Sequence, residues 1–129
     1  MTLHRSGEDY LKAIFVLQQE NGCVRSLDVA ERLKVTKPSV SRAVKLLCEG
    51  GFLTMDQSKL LHLTPLGVSA AEEIYERHRV LNEVLLSLGV TPAVAEQDAC
   101  RIEHVISGET IEKVKAFRLR WGQAGLHKV

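Results

Sequence analysis

The stretch SLDVAERLKVTKPSVSRAVKLLCEGG, residues 26–51, constrains the fold more than any other part of the chain. It contains two short amphipathic patterns of helical period, separated by only a few residues. In the first, Leu27, Ala30 and Leu33 recur at helical spacing, and Ser26 is the predicted N-cap because its hydroxyl can accept a backbone N–H of the first turn. Two short helices joined by so tight a turn predict a helix-turn-helix.

The second helix of the pair has clear start and stop signals. Thr36 is the predicted N-cap, Pro38 stands in the first turn where its missing N–H costs little, and Gly50-Gly51 end the helix. The helical period gives this segment an apolar face and an opposite polar face. The apolar face consists of Val40, Ala43, Val44 and Leu47, and the polar face includes Ser41, Arg42 and Lys45.

A helix and a hairpin flank this pair. An earlier helical pattern begins near Leu11 and ends at Asn21-Gly22. After Gly51, apolar residues alternate on both sides of the polar turn DQSK, as in a short two-stranded hairpin. They are Leu53 and Met55 before the turn, and Leu61 and Leu63 after it. The order of three helices and a hairpin predicts a winged helix-turn-helix over residues 1–64.

A winged helix-turn-helix places its third helix in the major groove of DNA, while the hairpin and nearby Lys or Arg side chains hold phosphates. The predicted DNA-binding residues are therefore Lys37, Pro38, Ser39, Ser41, Arg42 and Lys45. Arg42 is the best candidate for a bidentate guanine contact, which gives about 1–3 kcal/mol of discrimination. The alternative is that these side chains only solvate a surface helix of an all-α core.

Charge is distributed unevenly along the chain, although the net charge is only +1. Residues 25–45 contain six basic and two acidic side chains, whereas residues 68–112 contain nine acidic side chains and three Lys or Arg. The basic segment favours contact with a polyanion. Solvated helix faces alone could also produce this distribution.

The second half of the chain is predicted to be helical throughout. Two Thr-Pro pairs, at 64–65 and 91–92, each combine an N-cap with a proline at the first helical position. The predicted helices run from Pro65 to about Leu88, from Pro92 to Ile106, and onward from Ser107-Gly108. We expect a helical domain over residues 65–122 and a flexible tail over 123–129. The predicted fold class is mainly α, with an N-terminal winged helix-turn-helix, a β-hairpin wing and a following α-helical domain.

A thiol, a carboxylate and an imidazole occur within five positions of the helix predicted over 92–106. Cys100, Glu103 and His104 follow i, i+3 and i+4 spacing, which places them on one side of the helix, away from its apolar stripe. An idle solvent face would normally carry Lys, Glu and Gln, and a free Cys is usually buried. Spacing alone leaves open both a metal site and a coincidental grouping.

Two further residues are candidates for the same site. His78 occupies a position in the apolar stripe of the preceding helix where Leu is expected, so its side chain can reach inward. Taken alone it is more typical of a core histidine. Asp9 opens the first helix, where an acid is favourable to the helix dipole without any metal.

Across nearly its whole length the chain resembles the diphtheria toxin repressor family of metal-dependent transcriptional regulators, in the short two-domain form typified by the manganese transport regulator. The matching stretches are EDYLKAIFVL, DVAERLKVTKPSVSRAVKLL, LTPLG, ERHRVLNEVLL and DACRIEHVIS, of which the last is the most specific. The resemblance implies a homodimer built by the C-terminal helices, metal sites between the two regions, and repression of metal-uptake genes when metal is bound. Residues 65–122 then form a metal-binding and dimerisation domain.

The resemblance also implies a set of metal ligands, which are Asp9, His78, Cys100, Glu103 and His104. The iron-sensing branch has cysteine at the position of Cys100 and the manganese branch has glutamate, so this chain combines a sulfur ligand with the oxygen ligand of Asp9. Sulfur favours Fe(II) over Mn(II), although availability in the cell can override affinity. Zn(II), Co(II) and Ni(II) are expected to substitute in vitro.

The sequence departs from the family pattern at three positions. The manganese branch has a glutamate that helps to bridge two metals where this chain has Lys12, and an ammonium group cannot coordinate and repels a second dication. Asn82 and Glu96 replace family ligands for an additional ion. We therefore expect one well-formed metal site per subunit and a weak or absent second site.

These observations predict a transcriptional repressor that binds double-stranded operator DNA as a homodimer when Fe(II) or Mn(II) is bound, and controls metal-uptake genes. The alternatives are a metal-independent winged-helix transcription factor and a thiol redox sensor that uses Cys100. An enzyme with an organic substrate is not expected, because the chain has no HExxH motif and no Gly-rich phosphate loop. No apolar run approaches the roughly 18 residues that cross a bilayer, and the start MTLHRSGEDY has no signal-peptide core, so a cytoplasmic location without membrane contact is expected.

Overall fold

The computed structural model describes the backbone of residues 5–124 and the side chains of residues 6–120. In this range the predicted order of helices and hairpin is confirmed. The elements are α1 (Arg5–Asn21), α2 (Ser26–Leu33), α3 (Lys37–Glu49), β1 (Leu53–Met55), β2 (Leu61–Leu63), α4 (Pro65–Ser87), α5 (Pro92–Ile102) and α6 (Gly108–Ala124). None of these helices is long and apolar enough to cross a membrane.

The chain divides into two compact units, one up to Glu73 and one from Ile74 onward. Helix α4 begins in the first unit and ends in the second. The functional boundary that we expect after residue 64 stays a prediction, because compactness alone does not define a functional domain. The expected tail over 123–129 lies largely outside the described residues.

In the first unit, α1, α2 and α3 contact one another around an apolar core. Helix α3 begins as predicted, since the Thr36 hydroxyl accepts the Ser39 backbone N–H at 3.3 Å. Its predicted apolar face points into the core, with Val40, Val44 and Leu47 buried. Helix α2 begins one position earlier than predicted, because Arg25 rather than Ser26 occupies the N-cap and donates its backbone N–H to the Asp28 carboxylate at 2.9 Å.

The wing is the antiparallel pair β1–β2, in the register Leu53↔Leu63 and Met55↔Leu61. The Asp56 carboxylate organises its turn: it accepts the backbone N–H groups of Ser58 and Leu60 and forms a 2.8 Å hydrogen bond with His62 Nε2. The His62 contact, followed by the backbone bonds, lowers the pKa of Asp56. The turn therefore keeps this stabilisation at neutral pH and loses it as the pH falls through the lowered pKa.

In the second unit, helices α4, α5 and α6 share a small apolar core. Its buried members are Val80, Leu81, Ala99 and Ile111, and Leu85, Ile102, Ile106 and Val114 pack against them. Helix α4 ends at Ser87, within one residue of the predicted end near Leu88, because Gly89 turns the chain at φ +97°. Leu88 itself is 75% exposed. The predicted end of α5, by contrast, is wrong.

Helix α5 ends at Ile102, four residues before the predicted end. The Val105 and Ile106 N–H groups both donate to the Ile102 carbonyl, so the regular hydrogen-bond pattern of the α-helix gives way to a turn. Ser107 then starts α6, since its hydroxyl accepts the Thr110 N–H at 3.1 Å. Glu103 and His104 consequently lie in a buried turn after α5 rather than on its last helical turn.

The junction between the wing and α4 leaves no room for a side chain at Gly67. A Cβ atom there would lie 2.1 Å from the Phe52 carbonyl oxygen. We expect Gly67→Ala to lower the free energy of unfolding by about 1–3 kcal/mol, because the backbone must move to accommodate the methyl group. The measurement is the midpoint of urea unfolding followed by circular dichroism.

The matched control is Gly108→Ala at the start of α6, where a Cβ meets nothing within 4 Å. It should leave the midpoint unchanged or raise it slightly, because alanine restricts the unfolded chain. Equal midpoints for the two variants would contradict the close approach of Gly67 to Phe52.

Candidate functional site

The outward face of α3 carries the residues that the sequence predicts for DNA contact. Lys37, Pro38, Ser41, Arg42 and Lys45 are exposed, whereas Ser39 is half-buried and shares a 2.8 Å hydroxyl–hydroxyl hydrogen bond with Thr36. The apolar half of the helix is buried in the core. The folded α3 therefore presents a polar, positively charged face to solvent.

A cleft of about 730 Å³ lies beside this face, lined by residues of α3, the start of α2 and the wing. Three of its lining residues are basic, namely Arg25, Lys45 and Lys59. Hydroxyl groups of Ser26, Ser41 and Ser58 complete the polar part of the lining. Anions are the ligands that such a combination of cations and hydroxyl donors can hold.

Arg25 and Lys59 in this cleft are absent from the sequence-based set of DNA-binding residues. Both are exposed, and the fold brings them close because Arg25 pairs in an isolated bridge with Leu60, the residue just before β2. The signal available in the sequence was a basic residue just before a helix and another in a hairpin turn. That pairing is long-range, so the sequence alone did not reveal it.

Cys48 also lines the cleft but has no chemical activation there. Burial, and secondarily the neighbouring Glu49 carboxylate, raises the pKa of the Cys48 thiol. A thiol held in its protonated form is a poor nucleophile and a poor metal ligand. Cys48 is accordingly a packing residue of the cleft.

The second unit contains a buried carboxylate beside two imidazoles. Glu103 is fully buried, as is the side chain of His104. Glu103 Oε1 lies 3.5 Å from His104 Nε2, and Glu103 Oε2 lies 3.4 Å from Nδ1 of His78, whose side chain is 12% exposed. Helix α4 supplies His78, and the turn after α5 supplies the other two side chains. The two imidazoles therefore approach different oxygens of one carboxylate.

Cys100 brings a sulfur atom to the same cluster. It lies on α5, one helical turn before His104, and is half-buried. Its Sγ atom and a ring nitrogen of His104 lie within 4.8 Å of each other. Four of the five predicted ligands are thus gathered in the second unit, namely His78, Cys100, Glu103 and His104.

The donor set and its spacing fit a divalent transition metal. Nitrogen and oxygen ligands bound at about 2.1 Å to one cation lie roughly 3.0–3.5 Å from each other. The separations between Glu103 and the two imidazoles have this size. Imidazole, carboxylate and thiolate together suit Fe(II), Zn(II) and related ions better than Mg(II) or Ca(II).

The remaining predicted ligand, Asp9, belongs to the first unit. It lies in the first half of α1 and is half-buried, and Lys12 follows it one helical turn later. Its place in a metal site stays a prediction. Of the two positions where family ligands are replaced, Asn82 is half-buried on α4, and Glu96 on α5 is exposed and contacts His78.

Comparison with known proteins assigns the family. The family model described as the iron-dependent repressor N-terminal DNA-binding domain matches residues 2–61, and the model of its metal-binding and dimerisation domain matches residues 64–118. The chain belongs to the iron-dependent repressor family. The prediction of a metal-dependent transcriptional regulator is thereby confirmed, and the winged-helix fold class with it.

Individual relatives agree with this assignment. The chain is 39% identical over 115 residues to the transcriptional regulator MntR of Salmonella typhimurium, which covers 89% of this chain and 73% of that protein. It is 33% identical over 109 residues to the HTH-type transcriptional regulator MntR of Geobacillus kaustophilus, covering 84% and 77%.

Solved structures of the family share the fold. The manganese regulator SloR matches with a TM-score of 0.77 at 29% identity, over 91% of this chain and 54% of that one. A manganese-dependent transcriptional repressor solved in complex with manganese matches with a TM-score of 0.76 at 29% identity, over 85% and 51%. The chain thus spans about half the length of these solved relatives.

Proposed function

We propose that this protein binds double-stranded operator DNA as a homodimer when Fe(II) or Mn(II) is bound, and so represses metal-uptake genes. The observation that carries the proposal is the buried Glu103 carboxylate with His78 and His104 on either side and Cys100 nearby. The proposed ligands are Asp9, His78, Cys100, Glu103 and His104. The family model of a metal-binding and dimerisation domain over residues 64–118 supports both the metal and the homodimer.

Two observations bear on which ion is bound. The sulfur of Cys100 supports Fe(II), because a thiolate is a softer ligand than the carboxylate that Mn(II) prefers. Manganese is the ion of the two solved relatives compared above. We propose Fe(II) or Mn(II) as the physiological ion, with Zn(II), Co(II) and Ni(II) as substitutes in vitro. Lys12, one turn after Asp9, disfavours a second dication at that end of the site.

The mechanism follows from the charges of the proposed ligands. Asp9, Glu103 and an ionised Cys100 carry like charge, so they repel one another when brought together. A bound divalent cation supplies the positive charge that makes this grouping favourable. The metal would then hold Asp9 by a carboxylate oxygen. The conformation in which Asp9 is bound to the metal becomes more populated, because metal binding stabilises that conformation.

Helix α1 is the proposed connection between the metal site and the DNA-reading face. It carries Asp9 and contacts both α2 and α3 in the first unit. A metal that fixes the position of Asp9 would therefore also fix the positions of α2 and α3, which form the helix-turn-helix. In a homodimer this sets the distance between two α3 helices, which must match half-sites about one helical turn apart. A bound metal would therefore act as a co-repressor, because it would fix the separation of the two α3 helices.

The first prediction from this mechanism concerns Glu103. We expect Glu103→Ala to abolish the increase in operator binding that metal causes, because the central carboxylate ligand is lost. The measurement is a gel shift with metal and with chelator, with circular dichroism to check the fold. The control is Glu112→Ala, which removes a carboxylate whose side chain is 71% exposed on α6. Retention of the metal response by Glu103→Ala would contradict the proposal.

The second prediction separates base contact from phosphate contact on α3. Arg42→Ala should cost about 1–3 kcal/mol on the operator and far less on unrelated DNA. Lys45→Ala, in the basic cleft, should weaken both by a similar factor and lower the salt-dependence slope by about one. Fluorescence anisotropy at several salt concentrations measures both effects, with Lys113→Ala, exposed on α6, as control. Equal losses on operator and unrelated DNA for Arg42→Ala would exclude its base contact.

A further inference from the structure

His78 lies between two carboxylates that contact opposite nitrogens of its ring. Its Nε2 lies 2.9 Å from Oε2 of Glu96, and its Nδ1 lies 3.4 Å from Oε2 of Glu103. The two carboxylates differ in environment, because the Glu103 side chain is fully buried and the Glu96 side chain is 62% exposed. The imidazole thus connects a surface carboxylate to the buried carboxylate of the proposed metal site.

The contact with Glu96 selects one protonation pattern of the ring. A carboxylate can only accept a hydrogen bond, so the short contact requires the proton on Nε2. The other nitrogen, Nδ1, faces the Glu103 carboxylate at 3.4 Å, which can likewise only accept, so Nδ1 can also carry a proton when no cation is present. A cation held beside Glu103 would replace that proton and use the Nδ1 lone pair, while the proton on Nε2 stays with Glu96. The same division between a metal-facing nitrogen and a carboxylate-bonded N–H recurs at metal-binding histidines.

We propose that Glu96 is a positioning residue of the metal site, which accepts the Nε2–H of His78 and thereby offers Nδ1 on the Glu103 side. The inference rests on the proposed function, since it assumes that the Glu103 cluster holds the metal. Glu96 is suited to this role by its place on α5, one helical turn before Cys100, so that one helix carries both groups.

A purely structural ion pair between α4 and α5 is the competing explanation. Such a pair would place the same proton on Nε2 but would contribute nothing to metal binding. The two explanations therefore differ in one measurable quantity, the affinity for metal, whereas the imidazole proton reports whether the contact itself is formed. Neither measurement depends on operator binding.

The test compares wild type with Glu96→Ala and Glu96→Gln. In wild type, long-range ¹H–¹⁵N correlation spectra of the metal-free protein should show a proton on His78 Nε2 that exchanges slowly with solvent. Exchange should become fast in Glu96→Ala and stay slow in Glu96→Gln, because the amide oxygen can accept the same hydrogen bond. Competition with a chelator should give an affinity for Co(II) about tenfold lower in Glu96→Ala than in wild type. This is the low end of the loss in metal affinity that follows removal of a hydrogen-bond partner of a metal-binding histidine.

The control is Gln97→Ala, which removes the neighbouring exposed side chain of α5 and should change neither quantity. An unprotonated His78 Nε2 in wild type, or a Co(II) affinity of Glu96→Ala equal to that of the control, would overturn the inference. So would the loss of one bound ion per chain in Glu96→Ala, because Glu96 would then be a ligand itself. Wild-type protein that binds no Co(II) would instead refute the proposed function, so the two failures are distinguishable.

Discussion

The burial of the Glu103 carboxylate is the constraint around which the proposed metal site in the second unit is built. An ionised carboxylate removed from water is costly unless a positive charge or several donors compensate it. The chain brings two imidazoles to its two oxygens, and ends α5 at Ile102 so that Glu103 and His104 sit in a tight buried turn. A divalent cation at this place would supply the compensation most directly, which makes metal binding and local folding one process.

The division of labour along the chain follows from charge. The first unit presents the basic face of α3 and the basic cleft beside it, which suit a polyanion. Residues 68–112 carry nine acidic side chains and only three Lys or Arg, and the second unit holds the cluster of metal-type donors. Helix α1, which carries the proposed ligand Asp9, contacts both α2 and α3, so the proposed metal site and the basic face of α3 are joined through one helix.

Local signals predicted much of this architecture, and long-range packing decided what they missed. The cap at Thr36 and the period of α3 predicted its start and both its faces, because those features depend on neighbouring residues only. The apolar pattern of α2 groups Leu27 with Ala30, but Leu27 is 51% exposed, because Val29 and Ala30 are the residues of this short helix that are buried. The grouping of Cys100 with His104 was visible in the spacing, whereas the contact between Glu96 and His78 joins two helices and has no sequence signature.

X-ray absorption spectroscopy of protein loaded with Fe(II) under reducing, oxygen-free conditions tests the central claim most directly. The account predicts one ion per chain, surrounded by nitrogen and oxygen atoms and a single sulfur atom at about 2.3 Å. The sulfur shell should disappear in Cys100→Ser and persist in Cys48→Ser. A shell of nitrogen and oxygen alone in the wild type, or a sulfur signal unaffected by Cys100→Ser, would contradict a metal held by the Cys100, Glu103 and His104 cluster.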